Sequence, residues 1–157
     1  MLESLKALLS NAILLVPLSG WIISQAIKFI INLIVERKLD FNRLFGDGGM
    51  PSGHSAMVSG LATMCALTFG FDSPYFAITA LLALIVMHDA LGVRREAGKH
   101  AISIKELAEA FNKTFTGKTG EIRTENLKLF VGHTPLQVVL GSILGITISC
   151  VYFFFIK

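Results

Sequence analysis

Four long apolar stretches dominate this chain of 157 residues, and they constrain its fold more than any other feature. They cover residues 12–35, 55–71, 75–93 and 135–156. A helix that crosses a bilayer needs about 20 mostly apolar residues, within a range of about 17–25. All four stretches fall in that range, the second at its short end. None alternates polar and apolar residues, and a lone hairpin in lipid would leave backbone groups unpaired. The expected fold is therefore all-α. It is one polytopic membrane helix bundle over residues 1–157, with about four transmembrane helices.

Composition supports a membrane setting. Hydrophobic residues make up 53% of the chain and charged residues 16%, against about 25% charged in soluble domains. The mean hydropathy is +0.65. The net charge of +3 does not argue for nucleic acid, because the bases do not form one soluble face. Cys65 and Cys150 both sit in apolar runs and read as small buried hydrophobes rather than a disulfide framework. The first ten residues carry Glu3 and Lys6, and the apolar run that follows has no small-residue exit. That run is expected to be a retained helix, not a cleaved leader.

One long polar segment, residues 94–133, separates the third and fourth apolar stretches. Apolar residues at 104, 107, 108, 111 and 115 predict an amphipathic helix over 102–115, lying at the interface. A turn is expected at 116–120 and another short helix over 121–131. With four spans, this segment shares a face with residues 36–51. The two loops hold 11 of the 14 basic residues, which places that face in the cytosol and both termini outside. An anion site would draw arginine and lysine to the same face.

That face also gathers chemistry. The string Gly46-Asp47-Gly48-Gly49-Met50-Pro51-Ser52-Gly53-His54-Ser55 runs into the second helix. Ser52 can cap the helix, Pro51 stiffens its entry, and the glycines let backbone approach a ligand. Free N–H groups at a helix start bind anions, and His54 stands beside them as a proton donor. Asp89 lies inside a span, where an ionisable group is costly and points to function. Its plainer role is a salt bridge to Arg94 or Arg95. Those arginines are interfacial anchors or bidentate phosphate ligands. Lys28 either snorkels to this interface or serves the site, and His133 opens the fourth helix. Two histidines, several cations and a helix-start nest suit phosphoryl transfer. One histidine attacks phosphorus, the other protonates the leaving oxygen, and the cations neutralise the remaining oxygens. No metal or other cofactor is expected, since no pair of ligands has local metal-binding spacing.

Pro51-Ser52-Gly53-His54 resembles the central motif of the type 2 phosphatidic acid phosphatases, which are related to vanadium-dependent haloperoxidases. With Asp89-Ala90-Leu91-Gly92-Val93-Arg94-Arg95 and Gly132-His133-Thr134-Pro135-Leu136-Gln137-Val138, the chain is similar to a small, divergent branch of that superfamily from about residue 24 to 145. The resemblance implies a helical membrane phosphatase acting on a lipid phosphate or diphosphate. It implies that Ser52 and Gly53 hold phosphate and that His54 is the general acid. Lys28 matches the lysine of the first motif, but the following Arg-Pro is missing and Arg37 is out of register. For the third motif two placements stand. Arg94 and His100 have the right spacing but lack the later aspartate, which Ile104 replaces. His133, followed four residues later by Gln137, is preferred as nucleophile, with Arg94 or Arg95 as the motif's arginine and Asp89 or Gln137 orienting the imidazole.

The expected partners are a membrane lipid phosphate, with phosphate or vanadate as site anion. The competing expectation is a non-enzymatic protein that binds anionic headgroups or scaffolds partners. Gly141 and Gly145 form a small-residue face that suits either a homo-oligomer or packing within one chain.

Overall fold

The computed structural model describes residues 1–36, 49–115 and 132–156. Six α-helices follow in order: α1 (Leu2–Leu9), α2 (Ala12–Glu36), α3 (Gly53–Phe69), α4 (Pro74–Leu91), α5 (Val93–Phe115) and α6 (Pro135–Val151). A π-helical turn, Tyr152–Ile156, extends α6. The described residues contain helices and no strands, so the chain is the expected all-α bundle.

Helix starts follow local chemistry. Ser52 caps α3 by accepting from the Ser55 amide, and Ser73 caps α4 by accepting from the Phe76 amide. Thr134 caps α6 in a reciprocal box, its hydroxyl accepting from the Gln137 amide while the Gln137 side chain accepts from the Thr134 amide. Pro74 and Pro135 occupy the first helical turns, where a missing N–H costs nothing. Gly70, at φ +92°, ends α3.

Among the described residues, three stretches are long and apolar enough to cross a membrane: Ala12–Val35, Pro74–Thr114 and Pro135–Ile156. The second expected span, α3, has 17 residues, about 26 Å of helix. It differs from the others in kind. It lies between α2, α4 and α6, and Ala56, Gly60, Ala62, Cys65 and Ala66 are buried. Small side chains suffice because α3 faces protein, whereas the other helices expose leucine and isoleucine.

The amphipathic helix begins at Val93 rather than at 102. Only Gly92, whose N–H donates to the His88 carbonyl (2.8 Å), separates it from α4. Arg94, Arg95, Glu96 and Lys99 are polar yet helix-favouring, and Lys99 pairs with Glu96 at 2.6 Å across one turn. Polarity marked them as a loop, but charge on an exposed helix face costs nothing. The expected turn at 116–120, the helix over 121–131, and Arg37 lie outside the described residues.

The closest packing is between α3 and α6, which run parallel from the same face. Gly141, Gly145 and Ser149 recur every four residues on α6, opposite Ser52, Ala56 and Gly60 on α3. A Cβ added to Gly141 would overlap the Ser52 carbonyl oxygen, and one on Gly145 the Ala56 carbonyl oxygen. Hydrogen bonds fasten the seam: Ser149 Oγ donates to the Gly60 carbonyl (3.0 Å), and Ser59 Oγ donates to the Ser142 carbonyl (3.1 Å). The small-residue face of α6 is thus filled within the chain.

Gly145→Ala should cost about 1–3 kcal/mol, the usual penalty of overpacking, as a lower midpoint in detergent unfolding. Ile143→Ala, on the exposed side of α6, should move that midpoint far less.

Candidate active site

The loop before α3 is tied down from two sides. Ser24 Oγ on α2 donates to the Pro51 carbonyl (2.9 Å), and the Ser52 amide donates to the Gln137 carbonyl on α6 (3.0 Å). Gly53 lies against Trp21, where an added Cβ would come within 2.9 Å of the indole Cδ1. The peptide between Met50 and Pro51 is cis. His54 follows as the second residue of α3, half-buried.

His133 is placed by the other end of the seam. Its amide donates to the Ala90 carbonyl at the end of α4 (3.1 Å). Gly132 has φ +95°, and an added Cβ would lie 2.5 Å from the Arg95 backbone. Glycine therefore lets the chain cross the first turn of α5 and turn His133 inward. His133 is 4% exposed. Its ring centroid is 6.4 Å from that of His54, with the planes tilted by 46°.

The two histidines line a cavity of about 270 Å³, together with Ile85, Val86, Asp89, Ala90, Arg94 and Gly132. Arg94 Nε donates to Asp89 Oδ2 at 2.6 Å, the plainer of the two roles open to this aspartate. Gln137 Oε1 accepts from the Thr134 amide (3.0 Å), closing the cap of α6. α3 and α6 both begin here, so the positive ends of two helix dipoles converge on the cavity. Arg94 adds a full charge. Among the described residues no three His, Cys, Asp or Glu side chains group as metal ligands. The cavity's polar lining, among the described residues, is two imidazoles, a guanidinium and a carboxylate.

The structure thus brings His54, His133, Asp89 and Arg94 to one cavity. Lys28, Ser52 and Gly53 do not line it: Ser52 packs against Gly141 of α6 and Gly53 against Trp21 of α2. The aliphatic stem of Lys28 passes Gly49, its Cδ 3.6 Å from where a Cβ would stand. Ser52 is fully buried, its hydroxyl accepting from the Ser55 amide (3.3 Å) and the Ser55 hydroxyl (2.9 Å). Arg95 and His100 are exposed on α5 and do not line the cavity. The sequence does not mark Ile85, Val86, Ala90 or Gly132 individually. Gly132 carried the one available signal, a glycine directly before a candidate histidine.

A profile of the divergent PAP2 family matches residues 9–148. The chain belongs to this family. It is also 43% identical over 155 residues to the uncharacterized membrane protein YuiD of Bacillus subtilis (strain 168), covering 94% of this chain and 98% of the relative. No solved structure matches the chain significantly. The chain is therefore a PAP2-like integral membrane protein. All three strings that carried the resemblance fall inside the matched residues.

Gly132→Ala should destabilise the protein by about 1–3 kcal/mol, because it forces a side chain into a left-handed backbone conformation. Thr134→Ala, which only removes a cap, should cost about 1 kcal/mol. Denaturant titration of the two variants in the same detergent checks the order.

Proposed function

We propose that this protein hydrolyses a phosphomonoester or diphosphate carried by a membrane lipid, through a phosphohistidine on His133. The observation that carries the reading is the pair His54–His133, 6.4 Å apart across a cavity that also holds Arg94. Both imidazoles line the same cavity, so a phosphoryl group standing in that cavity is within reach of both.

An imidazole nitrogen of His133 attacks phosphorus while the bond from phosphorus to the lipid oxygen breaks. His54 gives its proton to that departing oxygen. The neutral His54 then takes a proton from water, whose oxygen attacks phosphorus and releases phosphate as the P–N bond breaks. Arg94 and the two helix N-termini balance the charge on the remaining oxygens. Asp89 holds the guanidinium at the cavity. Lys28 and Arg95 add positive potential from flanking positions, and the Ser52-Gly53 segment holds the start of α3 in place for phosphate. The reading needs no cofactor.

Purified protein should release phosphate from at least one of phosphatidic acid, phosphatidylglycerophosphate or a prenyl diphosphate. His54→Ala should slow this by about 10²–10⁴-fold, the usual contribution of a general acid, and His133→Ala should abolish it. Equal release by wild type and His133→Ala would sink the nucleophile assignment. Vanadate, which mimics five-coordinate phosphorus, should inhibit well below the phosphate concentration that does so. A protein that merely binds headgroups would show no such preference.

The charge distribution supports a cytosolic site. In a variant with Cys65 and Cys150 replaced by serine, Lys99→Cys should react with an impermeant maleimide only after the cells are opened. Labelling in intact cells would reverse the orientation.

A further inference from the structure

We infer that the site takes its phosphate sideways from the bilayer, the substrate's hydrocarbon chain leaving the cavity over Ile85 and lying along Leu81 and Ile78 of α4. This rests on the reading of the cavity as a phosphate site and goes beyond it by naming the path and the residues that select for a chain.

A cavity of about 270 Å³ lies just below the range of about 300–1,000 Å³ that encloses whole small ligands. It can house a phosphate and the first atoms beyond it, and the rest of a lipid must lie outside. Its walls differ in character. His54, His133, Asp89 and Arg94 are polar, while Ile85, Val86 and Ala90, all on α4, are apolar. Ile85 belongs to two surfaces at once. It lines the cavity, yet 67% of it is exposed on a helix apolar enough to cross the membrane. The medium beyond it is hydrocarbon.

From Ile85 an exposed apolar stripe continues at helical spacing through Leu81 (61%) and Ile78 (65%). In the other direction the same face reaches Asp89 one turn on, with Arg94 paired to it at 2.6 Å. The face of α4 therefore runs from apolar to charged in the order of an anionic lipid, tail to head. The half-exposed Arg94 side chain (47%) leaves a polar opening through which free phosphate can depart.

The test uses protein in lipid nanodiscs and a long-chain alkyl phosphonate with a diazirine in mid-chain. The P–C bond resists hydrolysis, so binding is scored without turnover. After photolysis, peptide mapping should place the label on the segment from Ile78 to Ile85. Vanadate should compete for that label, and methylphosphonate should compete at least about tenfold less well than the unlabelled long-chain phosphonate, a tenfold step being one decade in Kd. Ile85→Trp and Leu81→Trp, at exposed positions the fold tolerates, should each reduce the vanadate-sensitive label. Label confined to α2 and α6, label indifferent to vanadate, or equal competition by methylphosphonate would overturn the path. Phosphate release from lipid substrates is scored on the same preparation. Correct labelling without release counts against the phosphatase reading and supports the path; release with label elsewhere counts against the path alone.

Discussion

Backbone-to-backbone contact between α3 and α6 is the interaction on which the rest of the protein depends. Inside a bilayer, lipid tails are as apolar as leucine, so helices gain little by hiding apolar side chains from them. Close approach supplies what the hydrophobic effect does not: dispersion contacts and short interhelical hydrogen bonds. Gly141 and Gly145 permit that approach, and Ser149 and Ser59 turn it into specific bonds. Because the two helices run parallel, their N-termini end side by side. That places His54, just inside α3, opposite His133, just before α6. The same seam therefore stabilises the bundle and sets the spacing of the candidate catalytic pair.

The remaining helices act around this seam. α2 braces the loop before α3 through Ser24 and Trp21. α4 and α5 close the cavity's other side, with Ala90 accepting from the His133 amide and Arg94 held by Asp89. The break at Gly92 leaves the Ala90 carbonyl for a partner outside the helix, and Gly132 lets that partner arrive. A site of this kind needs few polar residues because each is oriented by backbone geometry, and because two helix dipoles supply part of the field.

Much of the bundle could be read directly from the chain. Apolar runs near 20 residues announced the spanning helices, and Ser52 announced the start of α3. The buried character of α3 could be suspected from its alanines and glycines, but periodicity says nothing about which helices surround it. The amphipathic helix was placed too late because Arg94, Arg95, Glu96 and Lys99 are charged, and charge alone does not distinguish a loop from an exposed helical face. Of the candidate residues, His54, His133, Asp89 and Arg94 meet at the cavity. Lys28, Ser52 and Gly53 do not line it; Ser52 belongs to the seam with α6 and Gly53 packs on Trp21 of α2.

The sequence by itself determined the solvent, the apolar helices and the family, because these follow from local composition, capping and three ordered motifs. It also named the histidines. Only the tertiary structure decided which histidine faces His54, what the glycines of α6 pack against, and which apolar side chains wall the cavity. Those are distances between segments separated by some forty to ninety residues in the chain. They depend on how closely two helix backbones can approach, which no local pattern encodes.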